Sequence, residues 1–210
     1  MVTILKNIVI SLDLGKMNDY TALVIVEHNN IKELAKTEKA YILRYINRFR
    51  LGTTYTEVAE NVKKLMTKLT VRPAFDPVIK PLLLIDGTGV GEGVFEIFLN
   101  KGLKPKKIVI TGGNKINVMP GGWNVPKREL ISAVTGCLER QQLIIPDNVK
   151  FKEILLAEMQ NFQVKITPSG YDSYSHREGE HDDILLALSQ ALWFLKKQEK
   201  QIVKAVPRLY

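Results

Sequence analysis

The chain has 210 residues, 45% of them hydrophobic, which is enough to bury a substantial core and leads us to expect one domain. Thirty Lys and Arg residues against 22 Asp and Glu give a formal net charge of +8, which favours a polyanionic partner such as nucleic acid, although a generally basic soluble protein has the same balance. A single cysteine, Cys137, excludes an internal disulfide, and without a signal sequence or a long apolar run we expect a soluble, unsecreted chain with no membrane partner.

The first part of the chain predicts three strands and then an amphipathic helix. Residues 7–14 and 20–27 are apolar and β-branched, and the polar turn GKMND joins them, with Gly15 expected to supply an unusual backbone dihedral. A third strand at 39–45 completes an antiparallel meander at the edge of a sheet. Behind a threonine cap, apolar residues at helical spacing then predict a helix within 53–69.

The remainder of the chain alternates apolar strands with helices. The predicted strands are 81–86, 106–111, 143–146 and 162–167; the predicted helices are 92–101, 127–141, 149–161 and 182–197; a loop or hairpin at 112–124 and a polar loop at 168–180 complete the order. The short, uniformly apolar segment PLLLID is typical of a central parallel strand. An antiparallel meander followed by such strands predicts a mixed α/β sheet flanked by helices.

Acidic residues stand at the ends of three predicted elements. Asp13 ends the first strand and Asp86 ends the strand at 81–86, whereas Asp182 and Asp183 begin the last helix. Ligands collect at the carboxyl ends of strands in α/β sheets, so these acids converge if the strands are neighbours. Clustered carboxylates need a compensating cation, and oxygen ligands select Mg²⁺ or Mn²⁺. Two such ions support phosphodiester hydrolysis, so we expect Asp13 to be a metal ligand.

Each acid also has a purely structural interpretation. Asp13, Asp19 and Asp86 stand where turn aspartates are common, and Asp182 stands where a helix N-cap is expected. The coincidence of all these acids at one kind of location favours the metal site. Two other ligand sites are disfavoured, because the GTGVGEG turn lacks the Lys-Ser/Thr ending of a P-loop and the histidines near residue 181 lack a tetrahedral zinc set.

Basic residues in loops are the candidates for contacts with DNA phosphates, which require only positive charge and reach. They are Lys16, Lys115, Lys127, Arg128 and Arg177. The basic run at 104–107 is predicted to be a solvated connection. Trp123 is expected either to stack on a base or to pack within its hairpin.

Four segments, in this order and spacing, resemble the C-terminal nuclease domain of the phage terminase large subunit. They are VISLDLGKMNDYTALVIVE, LLLIDGTGVGEGVFEIF, PKRELISAVTGCLERQQLIIP and EGEHDDILLALSQALWF, and the resemblance covers residues 7–197. The resemblance implies a ribonuclease H-like fold, with a three-strand antiparallel meander plus parallel strands flanked by helices. It implies one nuclease domain over residues 1–210, with 198–210 as a solvated tail or a partner-docking segment.

The resemblance also implies an activity and its partners. The activity is that of a Mg²⁺- or Mn²⁺-dependent endonuclease that cuts double-stranded viral DNA during genome packaging through a two-metal carboxylate site. By motif match, the acids Asp13, Asp86, Asp182 and Asp183 are catalytic and bind metal. Asp19 matches an acid beside the site. Consecutive residues at a helix start point about 100° apart, and we favour Asp183 slightly over Asp182 as the direct ligand.

The partners that the resemblance implies are double-stranded DNA, the terminase ATPase motor, the small terminase subunit and the portal, in the cytoplasm of the infected bacterial host. Because the first nuclease strand begins within ten residues of Met1, we expect either an excised domain or a separately encoded nuclease.

Three other functions remain open at the level of sequence. A junction-resolving nuclease of the same superfamily would prefer branched DNA. An actin-like ATPase or kinase, which shares the Asp-x-Gly strand and the Asp-Gly-Thr-Gly turn, would bind ATP. A non-catalytic DNA-binding module would respond to metal without cutting DNA.

Overall fold

The structure is a computed structural model that describes residues 3–15, 19–33, 36–70, 81–166, 172–175 and 181–205. Its strands are β1 (Thr3–Asp13), β2 (Ala22–Glu33), β3 (Lys36–Arg48), β4 (Leu82–Asp86), β5 (Lys106–Thr111), β6 (Asn117–Met119), β7 (Gly122–Pro126), β8 (Leu143–Ile144), β9 (Gln163–Ile166) and β10 (Asp172–Ser175). Its helices are α1 (Tyr55–Thr70), α2 (Glu92–Asn100), α3 (Lys127–Glu139), α4 (Lys152–Asn161) and α5 (Asp183–Ala205).

Eight strands form one mixed sheet in the order β6-β7-β5-β4-β1-β2-β3-β8. Strands β1, β2 and β3 are the predicted antiparallel meander, whereas β4, β5 and β7 run parallel to β1 on its other side. This arrangement confirms the predicted mixed sheet, an antiparallel meander plus parallel strands. The meander was predicted at the edge of the sheet, but β8 pairs in parallel with β3 and forms the edge instead.

Helices cover both faces of the sheet. The alternation of side chains along each strand sends Ile10 and Leu12 of β1 to one face, where they pack with α1 and α2. Val9 faces the other way and packs with α3, α4 and α5. Cys137 of α3 is fully buried in this second layer, which confirms its prediction as a core residue.

Several element boundaries follow from local interactions. Helix α1 begins with a capping box, in which the Thr54 hydroxyl accepts the Glu57 N–H at 3.3 Å and the Glu57 carboxylate accepts the Thr54 N–H at 2.8 Å. Helix α4 starts at Lys152, later than predicted, after Phe151 in the left-handed region (φ 64°). Helix α5 continues to Ala205, beyond its predicted end at 197.

The segment predicted as a loop or hairpin forms the hairpin of β6 and β7, which ends at Pro126. Trp123 of this hairpin packs against Trp193 and Phe194 with ring centroids 5.8 and 5.5 Å apart. Trp123 therefore has the packing role that was one of its two predicted roles. The predicted loop at 168–180 includes β10, which pairs with β9 in a separate small sheet. Among the helices of the described residues, none has the length and apolar character needed to cross a membrane.

Candidate active site

The register of the central strands brings the first two acids together. Leu12 of β1 pairs with Ile85 of β4 in parallel, so Asp13 and Asp86 follow side by side at the carboxyl ends of their strands. Their carboxyl groups are close enough for Asp86 to raise the pKa of Asp13. The convergence that the sequence predicted for these two acids is therefore present.

The start of α5 brings the other two acids to the same place. The carbonyl of Asp182 accepts the Leu186 N–H at 2.8 Å, which makes Asp182 the N-cap residue, and Asp183 begins the helix. A cleft of about 690 Å³ is lined by all five predicted acids, which are Asp13, Asp19, Asp86, Asp182 and Asp183. We name it the acid cleft.

Asp86 is fixed by the turn that follows it. The Thr88 N–H donates to Asp86 Oδ1 at 2.7 Å, and the Thr88 hydroxyl accepts the Ile110 N–H at 2.7 Å. The Asp-Gly-Thr-Gly turn thus ties the end of β4 to β5 and holds the buried Asp86 carboxylate in one orientation.

Arg48, at the end of β3, holds Asp183 and was not predicted from the sequence. Its Nη2 and Nε donate to the two oxygens of Asp183 at 2.6 and 3.0 Å, in a nearly buried two-pronged pair. The guanidinium also lies 3.9 Å from the centroid of the Tyr20 ring. Asp13, Ala22 and Arg48 are register partners across three strands, and the small Ala22 stands between them.

Lys127, at the start of α3, lies in the acid cleft. Its Nζ donates to Asp182 Oδ2 at 2.9 Å, and both side chains are largely buried. Lys127 was predicted to contact DNA phosphates, which stays a prediction. Its pairing with Asp182 also lets it balance part of the charge of the acids.

Two of the other predicted basic residues lie near each other. Lys115 is exposed in the loop before β6, and Arg128 donates to the Asn114 carbonyl at 3.1 Å, which ties that loop to α3. Lys16 and Arg177 lie outside the described residues.

The carboxylates of the acid cleft outnumber the cations that pair with them. Burial raises the pKa of Asp13 well above its usual range, and Asp86 and the two acids of α5 raise it further against the opposing effect of Lys127. Burial likewise raises the pKa of Asp86 and of Asp183. The four carboxylates outnumber the two cations that pair with them, Lys127 and Arg48, and divalent cations would relieve the repulsion that raises the pKa of Asp13.

Gly15 closes the turn beside Asp13, for a reason different from the predicted one. Its φ is not in the left-handed region; instead a Cβ there would lie 2.3 Å from the Asp19 carbonyl oxygen and 2.4 Å from that of Tyr20. Its carbonyl accepts the Tyr55 hydroxyl at 3.0 Å. Glycine is therefore required by the close approach of two backbone segments.

Glu158 of α4 is a second buried group that the sequence did not reveal. Its Oε2 accepts the N–H of Leu185, in the first turn of α5, at 2.8 Å. Burial and the nearby Asp183 raise the pKa of Glu158 to about 8. Glu158 therefore anchors the start of the helix that carries Asp182 and Asp183.

The acids fit a divalent cation by their chemistry. Every candidate donor is a carboxylate oxygen, which suits Mg²⁺ or Mn²⁺ rather than zinc. Within the described ranges, no three His, Cys, Asp or Glu side chains already surround one point as metal ligands. Asp182 and Asp183 are held by Lys127 and Arg48 instead, so an ion that takes a third carboxylate has to compete with one of these cations.

The fold and the site together define a mixed α/β domain with an acidic cleft at the carboxyl ends of β1 and β4. No protein-family model and no curated protein matches the chain. Solved structures of large terminase nucleases are similar to it.

The large terminase nuclease of the thermophilic phage G20c has a TM-score of 0.58 and 20% identity, over 88% of this chain and 80% of that one. The nuclease domain from Thermus phage P74-26 has a TM-score of 0.55 and 18% identity, over 89% and 78%. The domain from bacteriophage SPP1, with bound Mn, has a TM-score of 0.52 and 12% identity, over 91% and 86%. The chain therefore has the fold of large terminase nuclease domains, as the resemblance implied.

Proposed function

We propose that this protein is a Mg²⁺- or Mn²⁺-dependent endonuclease that cuts double-stranded viral DNA during genome packaging. The observation that carries the proposal is the convergence of Asp13, Asp86, Asp182 and Asp183 in one cleft, where they outnumber the two cations that pair with them. The shared fold supports it, as do the structures of the G20c domain with bound magnesium and with bound cobalt. The net charge of +8 on the chain favours a polyanionic substrate.

Asp13 and Asp86 are the residues that we propose to hold metal from the sheet. For the third carboxylate we assign Asp182 rather than Asp183, because Arg48 engages both oxygens of Asp183 whereas a single amine holds Asp182 Oδ2. A bound pair of ions supplies activation of a water molecule and stabilisation of the leaving oxygen. The chain itself keeps the Asp86 carboxylate oriented through the turn and keeps the start of α5 in place through Arg48.

The same resemblance supports proposals for the biological setting. We propose that the domain works with a terminase ATPase motor, a small terminase subunit and a portal, in the cytoplasm of an infected bacterial host. Asp19 is exposed at the mouth of the acid cleft, where it is placed to bind an incoming cation or water.

The test is cleavage of supercoiled plasmid in Mg²⁺, in Mn²⁺ and in EDTA by the wild type, by Asp86→Asn and by the control Asp147→Asn. Asp147 is an exposed acid outside the cleft, whereas an amide oxygen at residue 86 can still accept the Thr88 N–H. We expect cleavage to require metal and Asp86→Asn to slow it by at least about 100-fold. Removal of a residue that merely hydrogen-bonds to a metal ligand already lowers metal affinity or activity by about 10–100-fold. Asp147→Asn should cut like the wild type.

Other outcomes would replace the proposal. An Asp86→Asn protein as active as the wild type would refute the carboxylate mechanism. A four-way DNA junction cut much faster than linear duplex would assign a junction-resolving nuclease instead. ATP binding without any cleavage would assign the actin-like alternative, and metal-sensitive DNA binding without cleavage would assign a binding module.

A further inference from the structure

A second groove, of about 630 Å³, adjoins the acid cleft, and Tyr20 lines both. It lies where the end of β3, the start of α1 and the start of α4 meet, and we name it the flanking groove. Its polar walls are formed by Asn47, Arg50, Asn61 and Lys150. Arg48 lines the groove and pairs with Asp183 of the acid cleft, so the two depressions are neighbours.

The flanking groove presents positive charge where the acid cleft presents negative charge. Arg50 and Lys150 are exposed, and in the part of the chain that the structure describes neither forms an ion pair with a carboxylate. The Lys150 ammonium lies 4.7 Å from the centroid of the Phe151 ring. Glu57 is the acid of this groove, and its carboxylate is engaged by the N–H and hydroxyl of Thr54 in the capping box.

Both basic residues stand on a fixed backbone. The Thr53 N–H and hydroxyl donate to the Arg50 carbonyl at 3.1 and 2.7 Å, in a turn that Gly52 completes with φ +81°. Lys150 precedes Phe151, the left-handed residue at which the chain turns into α4. The two positive side chains are therefore presented to the groove from defined positions on two separate segments of the chain.

We propose that the flanking groove binds the sugar-phosphate backbone of DNA next to the bond cut in the acid cleft, with Arg50 and Lys150 contacting phosphates. This inference rests on the proposed nuclease function. A DNA duplex with one phosphate at the acids has to continue past them. Because the acids repel the DNA phosphates, binding requires an adjoining surface that attracts them. Positive side chains and the amides of Asn47 and Asn61 are the groups that contact phosphates without regard to sequence.

The test compares two double variants that remove the same charge. Arg50→Gln/Lys150→Gln alters the groove. The control, Lys104→Gln/Lys106→Gln, alters exposed residues at β5, which lies four strands and about 19 Å from β3 in the sheet. Binding of a fluorescent DNA duplex is followed by anisotropy in Ca²⁺ as the KCl concentration is varied.

Loss of two phosphate contacts predicts that the slope of log affinity against log salt falls by about 1.8 for the groove variant. The same relation predicts a loss of affinity on the order of 30-fold at about 0.15 M salt. The control should keep the wild-type slope. The charge-retaining Arg50→Lys/Lys150→Arg protein should also keep it, and thermal unfolding of each variant verifies its fold. In the plasmid assay, the groove variant should raise KM and leave the rate at saturating DNA unchanged.

These experiments distinguish a failure of the groove proposal from a failure of the nuclease proposal. A groove variant with the slope and affinity of the control overturns the groove even if the wild type cuts DNA. A wild type that binds duplex but cuts nothing in Mg²⁺ or Mn²⁺ overturns the nuclease, and the anisotropy comparison still decides the groove. A wild type that does not bind duplex overturns the groove directly.

Discussion

Replacing Glu158 with glutamine should change how the stability of the metal-free protein depends on pH. Glu158 is 6% exposed, and burial together with Asp183 raises its pKa from the usual 4.5 to about 8. A raised pKa in the folded state means that the folded protein retains a proton that the unfolded chain has lost. The wild type therefore loses stability as the pH rises from the unfolded-state pKa to that of the folded state.

The pKa difference sets the size of the effect. Between about pH 5 and about pH 9, the titration of Glu158 should lower the free energy of unfolding by about 4 kcal/mol. The Glu158→Gln variant has no such titration, and its amide oxygen can still accept the Leu185 N–H. We expect the two proteins to have similar stability at the acid end and the variant to be more stable by about 4 kcal/mol at the alkaline end.

Urea denaturation in EDTA, followed by circular dichroism at both pH values, measures this difference. The other buried acids are present in both proteins, so the comparison isolates Glu158. Parallel pH profiles for the wild type and Glu158→Gln would refute the argument that burial keeps this carboxyl protonated.

Three further changes test the site. Arg48→Met leaves Asp183 buried without its cation and should lower the free energy of unfolding, measured in urea, by about 3–5 kcal/mol. Adding Asp183→Asn should recover most of this loss, and a double variant whose loss is the sum of the two single losses would contradict the prediction. Lys127→Met removes a cation that competes with metal, so calorimetry should show Mn²⁺ binding roughly tenfold tighter, and weaker binding would contradict this. Gly15→Ala should cost about 1–3 kcal/mol in thermal unfolding, because its Cβ would lie 2.3 Å from a carbonyl oxygen. The control is Gly112→Ala, whose Cβ would have nothing within 4 Å, and equal stability of the two variants would refute the prediction.

The sheet and the acids could be predicted because their causes are local in the sequence. Apolar runs with β-branched residues mark β1 and β4, and a residue at the end of such a strand reaches the carboxyl edge of the sheet whatever the helices do. For this reason Asp13 and Asp86 were placed correctly beside each other. Asp182 and Asp183 followed because a helix start is also readable from sequence.

Arg48 and Glu158 were missed because their roles depend on contacts between distant parts of the chain. Arg48 meets Asp183 across 135 positions of sequence, through the register of three strands. Glu158 looks like any surface glutamate of an amphipathic helix until α4 is packed against α5. Lys127 was predicted only as a DNA contact, because the sequence alone does not show that its side chain points toward Asp182.

Diffraction from a crystal soaked in Mn²⁺ tests whether the acid cleft holds divalent metal. We expect anomalous density for manganese between Asp13 and Asp86, with Asp182 released from Lys127 toward it, and the loss of that density in an Asp86→Asn crystal. A soaked wild-type crystal with no manganese in the acid cleft, or with the ion bound equally well in Asp86→Asn, would contradict it.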